Sequence, residues 1–237
     1  MIHFCESYLS PGKLVIAIDG PAASGKSTTA RLVAEKLGYV HVDTGAMYRA
    51  VTLKILRAGI PPADGEGVGR LLETTHVVLR REGELTRVVL DGEDVNAEIR
   101  SPEVTRAVSV VSRHRAVREM MVREQRRMGS EGGLVLEGRD IGTVVFPDAD
   151  LKFFMIAGIE ARAQRRGEEM RARGISPDLS GLMEEIRERD SLDSTRDESP
   201  LRKAEDAIEI DTSDLTIEEQ VRVVVERVRA VAKGKGA

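Results

Sequence analysis

Gly20-Pro-Ala-Ala-Ser-Gly25-Lys26-Ser27 is a run of small residues that ends in a lysine and a hydroxyl. It fits the pattern Gly-x4-Gly-Lys-Ser/Thr in full, and each fixed position has a chemical reason. Glycines let the backbone curl until successive N–H groups point at phosphate oxygens, and a helix starting there adds its positive end. Lys26 can then reach the β- and γ-phosphates, while the Ser27 hydroxyl can ligate Mg²⁺. The expected nucleotide-contacting run is Gly20, Pro21, Ala22, Ala23, Ser24, Gly25, Lys26, Ser27 and Thr28. This chemistry calls for a nucleoside triphosphate with Mg²⁺ and leaves open where the terminal phosphate goes.

A second set of residues bears on that question. No guanine-reading Asn-Lys-x-Asp segment is present, which argues against a GTPase. A kinase for small molecules must bring two anionic phosphates together, and that is costly unless fixed cations offset their repulsion. Arginines stand where such cations are needed: in Asp43-Thr-Gly-Ala-Met-Tyr-Arg49, in Glu137-Gly-Arg139-Asp140-Ile-Gly, at Arg165-Arg166, and in Arg189-Asp190-Ser-Leu-Asp193-Ser-Thr-Arg196. The first two follow apolar runs, at the edge where an α/β sheet opens its crevice.

The elements that must hold these residues can be read from periodicity. Lys13–Asp19 is an apolar, β-branched run of the kind buried in parallel sheets. Ser27–Leu37 carries Ala30, Val33, Ala34 and Leu37 on one helical face and stops at Gly38. Residues 39–42 predict a second strand and 44–58 a second helix. Then the pattern changes. Short alternating runs at 77–80, 85–90 and 94–95, parted by Glu82-Gly83 and Asp91-Gly92, predict antiparallel hairpins. Ser101-Pro102 opens a long helical stretch to about Met128, with a break near Arg113-His114. Strands are expected at 133–137, 151–157 and 207–211, and helices at 159–173 and 179–189 around Gly174-Ile-Ser-Pro177. Thr216-x-x-Glu219 is a capping box for the last helix, and the Gly-Lys-Gly-Ala tail is expected to fray. Strands alternating with helices imply an α/β fold, a mostly parallel sheet covered on both faces.

At this point the chain resembles the bacterial cytidylate kinases, from about Lys13 to its end. The segments that carry the likeness are IDGPAASGKST, HVDTGAMYRAV, LDGEDVNAEIRSPEV, VLEGRDIGTVVFPDADLKFF and RERDSLDSTR. The resemblance implies the P-loop nucleoside monophosphate kinase architecture. That is a parallel five-stranded sheet with helices on both faces, an inserted antiparallel and helical module that binds the monophosphate, and a short lid. It implies an extension over 1–12, core over 13–62 and 131–237, the insert over 63–130, and the lid near 165–180. The implied reaction is ATP + CMP ⇌ ADP + CDP, in pyrimidine nucleotide metabolism, with dCMP accepted and UMP a poorer acceptor.

Carried over position by position, Thr44, Arg49, Arg139, Arg189 and Arg196 would surround the monophosphate, Asp193 would bind the sugar hydroxyls, and Ser109, Arg118 and Asp140 would read cytosine. The base chemistry agrees, because a carboxylate accepts the exocyclic amine and an arginine serves the ring acceptors. Arg165, with Arg166 as the alternative, would swing in with the lid and join Lys26, Arg139 and Arg189 at the transferring phosphoryl group. Glu137 is a candidate to hold a Mg²⁺-bound water. The acceptor is already an anion, so no general base and no catalytic histidine are expected. Ala22 stands where some relatives carry Ser, which removes one hydroxyl contact.

Composition narrows the partners. The chain has 237 residues, 28 arginines against eight lysines, and a net charge of −4. Aromatics are 3% with no Trp, and no broad basic face is implied, which weighs against nucleic acid as a partner. The rivals are another small-metabolite kinase and a non-catalytic ATP-binding module that grips RNA with its arginine-rich stretch at 113–127. One cysteine, Cys5, no apolar run long enough to span a bilayer and no signal-like start lead us to expect a cytoplasmic protein. The expected partners are CMP or dCMP and ATP, with no membrane, and a monomer is expected.

Overall fold

The computed structural model describes residues 13–82, 85–172, 174–196 and 198–235. The extension over 1–12, with Cys5, and Gly83 of the expected hairpin turn lie outside the described residues.

The apolar runs form the expected strands, β1 (Val15–Asp19), β2 (Val40–Asp43), β6 (Leu134–Gly138), β7 (Leu151–Ile156) and β8 (Ile208–Asp211). They build one five-stranded sheet in the order β2-β6-β1-β7-β8, with every pairing parallel. Side chains alternate between its two faces. On one face Ile16, Ile18, Val135, Phe153 and Met155 pack under α1 (Lys26–Leu37) and α8 (Ile217–Lys235). On the other, Ala17, Leu134 and Leu136 join a larger core with α2 (Thr44–Arg57), α4 (Pro102–Val111) and α5 (Arg115–Met128).

The antiparallel runs form a separate three-stranded sheet, β3 (Val77–Glu82), β4 (Leu85–Leu90) and β5 (Glu93–Asp94). Ser101 caps α4 as its sequence suggests, accepting from the Val104 N–H at 3.3 Å. The break near Arg113-His114 is real, and it separates α4 from α5. The arginine-rich face of α5 is tied up locally. Arg115 pairs with Glu119, Arg127 with Glu124, and Arg126 donates to the Val144 and Val145 carbonyls.

Four features depart from the reading above. Gly65–Leu72 is a helix, α3, although three of its eight residues are glycine. Asp64 caps it, and Val68 is fully buried beneath it, so tertiary packing overrides a penalty of about 1 kcal/mol per glycine. Ile141–Val145 forms a wide π-turn held by the Asp19 carboxylate, which accepts from the Ile141 and Gly142 N–H groups at 2.9 and 2.8 Å. Finally, α7 (Leu179–Ser194) runs past Arg189, because no breaker intervenes before Thr195. With α6 (Ile159–Arg171) it forms a hairpin around a small core of Ala163, Leu182 and Ile186. The terminal helix also continues to Lys235, two residues into the tail expected to fray.

The π-turn is wedged against the end of α5. A Cβ at Gly129 would lie 2.2 Å from the Phe146 ring. Gly129→Ala should therefore cost about 1–3 kcal/mol in urea unfolding, and Phe146→Leu in the same chain should recover most of it. No loss in the single variant would show that the wedge is not a packing constraint.

Candidate active site

Three of the chemistry-bearing segments emerge at the carboxyl edge of the parallel sheet. The phosphate loop leaves β1, Asp43 ends β2 with Thr44 following it, and Arg139 and Asp140 follow β6. Its glycines are required sterically: a Cβ at Gly20, at φ 156°, would lie 2.2 Å from the Met155 carbonyl oxygen, and Gly25 starts α1 at φ 87°. No side chain caps α1, so its first N–H groups stay open toward an anion.

A cavity of about 270 Å³ lies before this helix end. Ala22, Ala23, Gly25, Lys26, Ser27 and Thr28 of the loop line it, whereas Gly20, Pro21 and Ser24 shape the loop from behind. Thr44, Arg49, Ser109, Arg118, Arg139, Asp140, Arg189, Asp193 and Arg196 line the same cavity, so residues spread over 153 positions of sequence meet around one space.

Arg165 does not join them. Its guanidinium is bound to Thr212, donating to the carbonyl and, at 3.2 Å, to the hydroxyl. Its neighbour Arg166 is the one that faces the cavity. Adjacent positions on a helix diverge by about 100°, so only one of the two can point inward in this state.

The cations strain against one another. Lys26 is buried, donates to the Pro21 carbonyl at 3.1 Å, and has its pKa pushed down to about 7. Burial is the chief cause, Arg139 adds to it, and Glu137 opposes it. Arg189 is pushed down to about 10, first by burial and then by Arg139. Burial also lowers Arg49 and Arg196, the latter against the pull of Asp140.

The carboxylates are engaged. Asp140 forms a buried ion pair with Arg118, whose guanidinium lies 6.0 Å from the Tyr48 ring centre. Asp193 accepts from Arg139 at 2.8 Å. Burial alone would raise the Asp193 carboxyl, but Arg139, with Arg189 and Arg196 beside it, holds the group below the usual range. Thr44 donates to the Glu137 carbonyl at 2.6 Å, and Arg49 to the Thr105 hydroxyl at 2.8 Å. Buried N–H groups at Arg189 Nε and Arg196 Nη2 have no hydrogen-bond partner.

Sequence reasoning missed several participants. Arg162 is buried, pairs with Asp190 at 2.7 Å and donates to the Ala22 carbonyl at 3.3 Å, which ties α6 and α7 to the phosphate loop. His41 reaches Glu137, and Arg100 and Tyr48 line the cavity. The only sequence signals were an arginine at 162 on the same helix as Arg165 and an aspartate beside Arg189.

Comparison with known proteins gives a consistent result. A family model described as cytidylate kinase matches residues 16–230. A protein called cytidylate kinase from Pelotomaculum thermopropionicum is 54% identical over 216 residues, 91% of this chain and 96% of that one. Those of the same name from Bacillus pumilus and Bacillus subtilis are 51% and 49% identical over 221 and 216 residues. They cover 93% and 91% of this chain, and 98% and 96% of their own lengths. Among the described residues no helix is long and apolar enough to cross a membrane. Matched over nearly its whole length by that family model and by relatives about half identical to it, the chain belongs to the cytidylate kinase family of enzymes.

Proposed function

We propose that the chain transfers the terminal phosphoryl group of ATP to CMP and dCMP, forming CDP and dCDP. The observation that carries this reading is a single cavity with an open helix end and phosphate loop on one side and a buried Asp140–Arg118 pair on the other. Cytosine presents a donor amine beside ring acceptors, and that pair offers the complementary groups. Uracil would place a carbonyl against Asp140, which disfavours it.

In this reading a phosphate oxygen of CMP attacks the γ-phosphorus in line, the bond to the β,γ-bridging oxygen breaks, and ADP leaves. The acceptor oxygen is already anionic, so the protein moves no proton. Lys26, Arg139, Arg189 and Arg196 gather the charge, Arg49 and Thr44 flank the acceptor phosphate, Asp193 takes the sugar hydroxyls, and Ser109 sits beside the base. Arg166 replaces Arg165 as the lid arginine, because it is the one aimed at the cavity. Residues 63–130 serve as the acceptor module and 165–180 as the lid.

Mg²⁺ keeps most of its waters and takes few protein ligands alongside substrate phosphates. Ser27 fits that role: its hydroxyl proton goes to Glu137, which leaves the oxygen lone pairs for a cation. The cation would neutralise charge on the β- and γ-phosphates. In this reading the chain is a monomer that acts on small nucleotides in the cytoplasm. The paired arginines of α5 give no support to an RNA-gripping face.

With ATP as donor, turnover should rank CMP and dCMP above UMP, with AMP and dTMP lowest. AMP outperforming CMP would end the cytidine assignment. In the same panel Asp140→Ala should lower kcat/KM for CMP by about 10- to 100-fold and for UMP by less, whereas equal losses would remove Asp140 from base recognition.

Lys26→Met should cut turnover by at least about 10²-fold. It should also raise the unfolding temperature of the ligand-free protein. The folded pKa of Lys26, about 7, lies below the ordinary 10.5, so the penalty for burying its charge is fully present below 7 and fades as pH rises toward 10.5. The gain in stability should follow that course, and a loss of stability at neutral pH would contradict it.

A further inference from the structure

His41 is not part of the phosphate loop or the arginine set, yet its ring reaches the loop's metal end through one intermediary. Nε2 lies 3.1 Å from Glu137 Oε1, and Glu137 Oε2 accepts the hydroxyl of Ser27. An ionised carboxylate can only accept, so the ring and the hydroxyl both donate and the carboxylate is held from its two sides. The parallel register explains how they meet: Asp43 of β2 lies opposite Glu137, and His41 shares a strand face with Asp43. His41 is itself held in place, since its carbonyl accepts from the Thr86 hydroxyl of β4 at 3.0 Å.

The carboxylate needs this support. Glu137 is buried, so its orientation rests on the hydrogen bonds it accepts from the His41 ring and the Ser27 hydroxyl. Without the His41 donor one carboxylate oxygen is left unheld and the other is less firmly aimed at the Ser27 hydroxyl.

We propose that His41 is a positioning residue for the nucleotide-bound divalent cation: by donating from Nε2 to Glu137 Oε1 it orients the carboxylate that takes the Ser27 proton. The proposal rests on Ser27 ligating that cation, as read above. Ligand-orienting hydrogen-bond partners of this kind change metal affinity by about 10- to 100-fold when removed.

The test is Mn²⁺ binding to the full-length protein–ADP complex, followed by electron paramagnetic resonance, beside calorimetric titration of ADP without metal. His41→Ala should weaken Mn²⁺ binding by about tenfold and leave metal-free ADP affinity unchanged. His41→Gln, whose Nε2 can donate from a similar place, should recover most of the loss. Equal Mn²⁺ affinity in His41→Ala would overturn the proposal, as would an equal loss of ADP affinity with and without metal, which marks a merely structural role. If the alanine chain does not fold, His41→Phe fills the space without a donor and is judged by the same outcomes. Wild-type complex that binds Mn²⁺ no better than free ADP would remove Ser27 as a ligand and take both readings down together.

Discussion

Positive charge crowded around a small buried space is the interaction on which the rest of this structure turns. Lys26, Arg49, Arg139, Arg166, Arg189 and Arg196 all face one cavity of about 270 Å³. Burial and mutual repulsion push the pKa of Lys26 down to about 7 and that of Arg189 to about 10. The carboxylates nearby cancel only part of this charge: Asp193 pairs with Arg139, while Asp140 pairs with Arg118 and, at 3.9 Å, with Arg196. The protein carries a cationic cluster that its own groups match only in part, with buried N–H donors at Arg189 and Arg196 lacking hydrogen-bond partners. Phosphate groups are the chemical complement of such a cluster, and binding them relieves a cost already met in folding.

The fold is what keeps those charges from dispersing. They come from several different elements, and most of these are anchored beyond the cavity. Asp19 at the end of β1 holds the π-turn that follows Arg139 and Asp140, through two backbone N–H groups. Arg162 joins Asp190 of α7 to the Ala22 carbonyl of the phosphate loop. Glu137 joins β6 to Ser27 at the start of α1 and to His41 of β2. These cross-links join strand ends, helices and the phosphate loop, so a shift in one segment is resisted by the others. Such preorganisation lets fixed charges stabilise a transferring phosphoryl group without rearranging.

Much of this was legible in the sequence. The phosphate loop, the parallel strands, the hairpin insert and the cap at Ser101 each follow from local pattern, because their determinants lie within a few residues. Nine residues assigned to the acceptor side also line the cavity. What was not legible depends on distant partners. Helix α3 forms against the glycine content of its own sequence because Val68 is buried by other elements. The π-turn depends on Asp19, 122 positions earlier. Arg165 and Arg166 are indistinguishable in sequence, and only the Thr212 contact of Arg165 separates them. His41 reads as one of four scattered histidines until strand pairing brings it to Glu137.

The incompletely matched cationic cluster makes a measurable demand on protons. At about pH 8 Lys26 of the free protein is mostly neutral, and a bound polyphosphate must restore its charge. Calorimetric titration of ADP in buffers of differing ionisation enthalpy counts the protons exchanged. The account predicts net uptake approaching one proton per ADP in the wild type, and none in Lys26→Met. Zero uptake or net release by the wild type at that pH would contradict it.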